Sequence, residues 1–237
     1  MRFSTLTLVA TLSTLTPVQA TLTNSTDCAD IHFMLARGTT ESYPGTPYSL
    51  AELVAANTSL SSNYENIIYP AVDETSSDSY FAGRVAVGKQ VTAYVDSCPD
   101  SKIIVLSYSQ GAMIVGDALA GGGGNVTLGN ATEPGISERV GRSIIANVYF
   151  GNPRHVPGEP YDFGTTGAGK VTGKYPRLPY QIANLDVYRD VSADWCNVGD
   201  GVCSPSEGAD SLSLHMAYAK DYDDVAAGWV LEKINGF

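Results

Sequence analysis

The stretch Lys102–Met113, KIIVLSYSQGAM, constrains this chain more than any other. KIIVLS is a continuous β-rich run, and its residues Ile103 to Leu106 show no polar alternation. A strand of that kind is buried on both sides, as in the middle of a parallel sheet. Small and polar residues follow at once, and then a helical pattern from Ala112 to Leu119 that stops at four glycines. The strand therefore runs into a tight turn and a helix, and a sheet buried on both faces must carry helices on both faces. The rest of the chain alternates in the same way. DIHFMLAR (30–37), ENIIYP (65–70), SIIANVYFG (143–151) and NLDVYR (184–189) read as further strands. Residues 48–57, 78–97 and 215–234 have helical spacing, the last through Tyr218, Tyr222, Val225, Trp229 and Lys233. The expected fold is α/β, a parallel sheet of about five strands with helices on both faces.

Ligands on such sheets bind at the carboxyl ends of the strands. Four segments fall there: Gly38–Glu41, Ser107–Gly111, Gly151–His155 and Arg189–Cys203. Residues 152–183, rich in Gly, Pro and Tyr, have no clear period and read as a long excursion. Gly121–Gly135, with GGGG, reads as an exposed loop.

The first twenty residues are set apart. Arg2 precedes an apolar stretch, Leu6–Leu15, and Val18-Gln19-Ala20 resembles a signal-peptidase cleavage site. This is the pattern of a secretory signal peptide, leaving residues 21–237 as one domain. No other apolar run approaches membrane-spanning length. Without Arg2 the chain has thirteen Lys and Arg against twenty-five Asp and Glu, a net charge of −12. A surface so acidic argues against nucleic acid and against anionic membranes as partners. Four sequons, at Asn24, Asn57, Asn125 and Asn130, agree with secretion. So do four cysteines, Cys28, Cys98, Cys196 and Cys203, an even count that allows three pairings. The close spacing of Cys196 and Cys203 favours that pair, together with Cys28–Cys98. Zinc is disfavoured because there is no C-x-x-C and no neighbouring histidine pair.

The turn after the central strand carries the chemistry. S-Y-S-Q-G is one residue from G-x-S-x-G, the sharp strand-to-helix turn that presents a nucleophilic serine. Gly111 meets the demand for a small residue two positions after Ser109, and Ser107 stands where the pattern has its first glycine. A serine nucleophile needs a base, a group that orients the base, and N–H donors for the oxyanion. The bases on offer are His32, inside the first strand and read as packing, His155 after GNPR, and His215 at the start of the last helix. The order Ser…Asp…His fits Ser109 and His215. Asp200, flanked by glycines between the close cysteines, is the preferred carboxylate. Asp190 and Asp194 are rivals, and Asp210 stands too near His215 to be preferred.

Together these residues resemble the fungal cutinase and acetylxylan esterase family of small secreted serine esterases. The matching segments are ARGTTE, CPDSKIIVLSYSQGA, GNPRH, WCNVGDGVC and HMAYAKDY, in order and spread from Cys28 to the last helix. The resemblance implies a minimal α/β-hydrolase fold, with Ser109 as nucleophile, His215 as base and Asp200 as its orienter. It further implies an oxyanion hole from Thr39 and the Gln110 N–H, disulfides Cys28–Cys98 and Cys196–Cys203, and no metal or cofactor. The substrate would be a plant cell-wall ester, acetylated xylan or the polyester cutin, acted on by a monomer. Leu212, Leu214 and Met216 beside the base suit an acyl rim or the packing of the last helix, while Tyr218 and Tyr222 suit sugar stacking, with core the other reading of Tyr222, and tilt the expectation toward the acetyl ester. Ser107 leaves open a different class of protein, a secreted binding or elicitor protein with a weakened site.

Overall fold

A computed structural model describes residues 22–72, 77–165, 170–206 and 211–236. The signal segment 1–20 and the rival carboxylate Asp210 lie outside the described residues. Seven strands form one wholly parallel sheet: β1 (Thr23–Asn24), β2 (Ile31–Ala36), β3 (Ser62–Asn66), β4 (Lys102–Tyr108), β5 (Ile144–Phe150), β6 (Asp162–Gly164) and β7 (Ser192–Cys196). Their order is β1-β3-β2-β4-β5-β7-β6. Five of these are full strands; β1 and β6 add two and three residues at the edges.

The central run behaves as its composition requires. Every residue of β4 after Lys102 is buried. Ile103 and Val105 point into one core with α2 (Ser77–Ser97) and α3 (Gln110–Ala120). Ile104 and Leu106 point into the other, with α1 (Pro47–Ala56) and the long α7 (Tyr218–Asn235). The period of two along a strand thus feeds two apolar layers. Ala36 of β2 pairs with Ser107 of β4, so these two strands end side by side. The chain leaves β2 toward β3 on one side and leaves β4 toward β5 on the other. Their carboxyl ends are therefore the switch point of the sheet, where the diverging connections leave a crevice.

Several sequence expectations need correction. NLDVYR is not a strand. Its first residues end α5 (Pro179–Leu185) and the remainder forms a 3-10 turn over Asp186–Val191. Leu185 and Tyr188, three apart, are buried while Val187 is 69% exposed, a helical arrangement. The strand is the next segment, SADWC, buried throughout despite Ser192 and Asp194. ENIIYP is likewise displaced, because β3 is the polar run SNYEN, with Asn63 buried against His32. Ile67 and Tyr69 leave the strand and pack into the core under α2 and α3.

His215 does not open the last helix. It ends a short helix, α6 (Ser211–His215), and α7 begins three residues later. On α7 the inward residues are Tyr218, Ala226, Ala227, Val230 and Ile234, whereas Val225 is exposed. The segment 121–135 is not wholly an exposed loop either: Gly121, Gly122, Gly123 and Leu128 are buried. A Cβ on Gly123 would lie 1.9 Å from the Asn130 carbonyl oxygen, so that turn closes only on glycine. Among the described residues no helix is long and apolar enough to cross a membrane.

Candidate active site

Ser109 is the hinge between β4 and α3. Its φ of 54° and ψ of −118° lie outside the regions L-residues favour, a strain of about 1–3 kcal/mol that the surroundings must hold. They hold it through the Ser109 N–H, which donates to the Phe150 carbonyl at 2.8 Å, and through the Ser109 carbonyl, which accepts from Met113 N–H at 3.1 Å. Gly111 allows the helix to start so close to β2: a Cβ there would lie 2.0 Å from the Ala36 carbonyl oxygen.

Ser107 is absorbed without harm to the turn. It is 1% exposed, and its hydroxyl donates to the Val148 carbonyl at 2.7 Å. The extra hydroxymethyl thus ties β4 to β5 just below the elbow. Replacing Ser107 by alanine should cost about 1 kcal/mol of stability, one neutral hydrogen bond, and leave turnover within about threefold. Denaturant unfolding and steady-state kinetics on the same preparation would check this. A large loss of turnover with intact stability would make Ser107 part of the chemistry.

The structure brings Ser109, His215 and Asp200 together. His215 Nε2 lies 2.9 Å from Ser109 Oγ, and its Nδ1 lies 2.8 Å from Asp200 Oδ2. Asp200 sits in the turn after β7, inside the loop closed by Cys196–Cys203; the other disulfide joins Cys28 and Cys98. Both pairings match the sequence expectation. The Asp200 carboxylate also accepts from Val202 N–H at 2.7 Å and from the Tyr218 hydroxyl at 2.6 Å. Burial alone would push this carboxyl up. The bonds from His215, Tyr218 and Val202 outweigh it and hold the group below the ordinary carboxylate range, so it stays ionised opposite the imidazole.

Sequence reasoning missed how the histidine is seated. The Tyr108 hydroxyl donates to the His215 carbonyl at 2.9 Å. Gly151, at φ 59°, leaves room for the ring, since a Cβ there would lie 2.8 Å from His215 Cε1. Tyr218 is not available as a sugar platform, contrary to the expectation from its spacing. It is fully buried, stacked on Phe150, and bonded to Asp200. Tyr222 is half-buried and donates to Asn197 Oδ1 at 2.5 Å, which steadies the same loop. The spacing H-x-x-Y was the available signal, although the two residues lie on either side of the break between α6 and α7.

Thr39 and Gln110 face each other across the β2–β4 switch point. Gln110 opens α3, so its backbone N–H belongs to the helix start, which has no intrahelical acceptor and favours negative charge. Its side chain is buried and points away, accepting from Ser79 Oγ at 2.9 Å and donating to the Val72 carbonyl at 2.8 Å and Thr39 Oγ1 at 3.3 Å. It therefore anchors the Thr39 turn. That turn is braced again by Glu41, whose carboxylate accepts from Gly38 N–H at 2.5 Å and Thr46 N–H at 3.1 Å. Arg37 spans the Glu41 and Tyr69 carbonyls at 2.6 and 2.9 Å.

The remaining candidates fall elsewhere. His32 is buried between Asn63 and Glu65 and stacked on Tyr94, as a packing residue. His155 is buried beside Asp194 and Asp162, away from Ser109's partners. There burial and the Asp194 charge push the Asp162 carboxyl up to about 7. Asp194 is thus committed to His155, and Asp190 is exposed on the surface. Leu212 and Met216, on either side of His215 in sequence, are 66% and 71% exposed. Of the sequon asparagines, Asn24, Asn57 and Asn130 are exposed. Asn125 is half-buried, its Oδ1 accepting from the Thr127 and Leu128 N–H groups.

A serine at the switch-point elbow of a parallel sheet, paired to a histidine that is paired to a carboxylate, defines an α/β-hydrolase. Comparison with known proteins carries this to a family. The Cutinase family model matches residues 27–234, and the chain belongs to that family. It is 31% identical over 219 residues to acetylxylan esterase 2 of Talaromyces purpureogenus, covering 87% of this chain and 88% of that one. It is 34% identical over 210 residues to a cutinase of Botryotinia fuckeliana, covering 84% and 81%. A solved acetylxylan esterase superposes with a TM-score of 0.74 at 26% identity, over 87% of this chain and 99% of that one. The protein is a carboxylic-ester hydrolase with the cutinase-type α/β-hydrolase fold.

The Tyr218 hydroxyl gives a direct check on how the carboxylate is held. Tyr218→Phe keeps the stacked ring and removes both the hydrogen bond to the buried Asp200 charge, worth about 1.5–3 kcal/mol, and the acceptor of the Asn197 N–H at 3.0 Å. The expected result is a roughly tenfold fall in kcat with KM little changed, since about 1.4 kcal/mol of barrier is a factor of ten. Unchanged kcat would leave Tyr218 as packing alone.

Proposed function

We propose that this protein is a secreted serine esterase that deacetylates plant cell-wall xylan through a Ser109–His215–Asp200 acyl-enzyme mechanism. The observation that carries the reading is the relay of 2.9 Å from Ser109 Oγ to His215 Nε2 and 2.8 Å from His215 Nδ1 to Asp200. His215 takes the Ser109 proton as Oγ attacks the ester carbonyl carbon. The oxyanion that forms is met by the backbone N–H groups of Thr39 and Gln110, pre-set by the braces on Arg37, Glu41 and the Gln110 side chain. His215 then gives its proton to the leaving alcohol, and the same base draws a proton from water to release the acid and free Ser109. Asp200 keeps the proton of the neutral imidazole on Nδ1 and stabilises the imidazolium.

Secretion is supported by the amino-terminal pattern, by the two disulfides, and by exposed sequon asparagines at 24, 57 and 130, which we propose as glycan acceptors. The acetyl preference is supported by relatives named acetylxylan esterase and by GNPRHVPGEPYDFGTTG, which resembles that side of the family. One observation favours a second reading, a cutinase acting on longer acyl chains: exposed Leu212 and Met216 beside His215 could seat an alkyl chain. Rates on p-nitrophenyl acetate, butyrate and palmitate, with acetyl release from acetylated xylan and monomer release from cutin, separate the two. Xylan deacetylation with a steep preference for acetate is expected. A palmitate rate above the acetate rate, with cutin hydrolysed and xylan untouched, would overturn the acetyl reading.

A further inference from the structure

We propose that His155, Asp162 and Asp194 form a binding site for one first-row divalent cation, Zn²⁺ foremost, that ties the loop after β5 to the edge strands β6 and β7. Asp162 and Asp194 stand side by side in register on neighbouring parallel strands. Two carboxylates so placed repel one another. Among the described residues their ion-pair partner is His155, whose Nδ1 lies 3.2 Å from Asp194 Oδ2 and 3.8 Å from Asp162 Oδ1. One donor atom from each residue falls within 4.8 Å of the other two. Ligand atoms bound to one ion at about 2.0–2.2 Å stand about 3–4 Å apart, so two of the three edges already have metal-site dimensions.

A separate observation points to something between these groups. Asp194 Oδ1 and Asp162 Oδ1 are both buried without a hydrogen-bond partner, and the Asp194 side chain is 3% exposed. Buried carboxylate oxygens in a protein interior are costly unless paired with a donor or a cation. Asp162 shows the split expected of a ligand held by outer partners. Asp162 Oδ2 accepts from the Gly158 and Glu159 N–H groups at 2.8 and 3.0 Å, which leaves Oδ1 turned toward His155. Asp194 Oδ2, the oxygen 3.2 Å from His155 Nδ1, is itself steadied by Asn152 Nδ2 at 3.1 Å. Asp162, 14% exposed, gives an ion a way in from solvent while the other two donors stay buried. With a neutral imidazole and both carboxylates ionised, the cluster would carry two negative charges, which a divalent ion cancels. One imidazole nitrogen with two carboxylates suits zinc or manganese better than the all-oxygen shells of calcium and magnesium. Asn152 follows Gly151, the glycine against the His215 ring, so the ion would stiffen the chain behind the histidine.

The test is calorimetric titration of the whole protein, stripped with EDTA and dialysed into metal-free buffer, with Zn²⁺ alone and with Ca²⁺ alone. One Zn²⁺ per chain is expected, with Ca²⁺ at least tenfold weaker. A hundredfold excess of Zn²⁺ over its Kd should raise the unfolding midpoint by about 5–10 °C. His155→Gln and Asp162→Asn, each checked for fold by circular dichroism, should weaken Zn²⁺ at least a hundredfold. His215→Gln, which leaves the cluster whole, should bind as wild type does. Co²⁺ on the wild-type protein should develop a visible absorption band that Zn²⁺ displaces one for one, a readout that needs no variant to fold. Absence of saturable Zn²⁺ and Co²⁺ binding, binding that survives both cluster substitutions, or Ca²⁺ binding tighter than Zn²⁺ would each overturn the proposal.

Discussion

Replacing Ser109 by alanine is expected to lower kcat on p-nitrophenyl acetate by about 10⁵–10⁶ while leaving the unfolding midpoint within a few degrees. The size follows from what the residue does in the proposed mechanism. Without Oγ no acyl-enzyme forms, and only the oxyanion donors and substrate binding remain to help water, worth about 10³–10⁴ over solution. The side chain makes no packing contribution of comparable weight, because its partner is the His215 ring at 2.9 Å. His215→Ala should cost about as much, and the double variant little more than either alone, because members of one relay act as a unit. Losses that multiply in the double variant would mean that the two residues serve separate steps.

The second large effect is expected at Gly111, through the fold rather than the chemistry. An alanine methyl there would stand 2.0 Å from the Ala36 carbonyl oxygen and 2.7 Å from that of Arg37. Both are backbone atoms of the strand end that leads into the Thr39 turn, so neither can swing aside as a side chain would. The start of α3 must move away from β2, which parts the Gln110 N–H from Thr39. Overpacking costs about 1–3 kcal/mol or more. A displacement of about 1 Å in a reacting group costs about a hundredfold in rate. Gly111→Ala should therefore lose at least about a hundredfold in kcat along with several degrees of midpoint. Serine at 107 is tolerated for the opposite reason: its added atoms point toward Val148, where a carbonyl accepts the hydroxyl.

What could be read in the sequence followed from local rules. The run KIIVLS announced a strand buried on both faces because Ile103 to Leu106 are apolar without alternation, and Gly111 was expected because the elbow demands a small residue there. The two disulfides and the order of Ser109, Asp200 and His215 were open to the same reading. The strand SADWC was not, since Asp194 and Ser192 in a fully buried strand contradict its pattern. Asp194 is tolerated there because Asn152 and His155 reach it from the loop after β5, a partnership visible only in three dimensions. SNYEN failed as a strand signal in the same way: Asn63 is buried because His32 accompanies it from the neighbouring strand. At His215 the helix boundary was misplaced by three residues, and the residues that seat the ring, Tyr108 and Gly151, come from two other strand ends.

The central claim is that Ser109 is the nucleophile, and covalent labelling tests it most directly. The wild-type protein is treated with diethyl p-nitrophenyl phosphate and the modified peptide is sequenced by tandem mass spectrometry. One diethylphosphoryl group per chain on Ser109 is expected, with esterase activity lost in proportion to labelling and no adduct in Ser109→Ala. A label on Ser107, or stoichiometric labelling that persists in Ser109→Ala, would contradict the account.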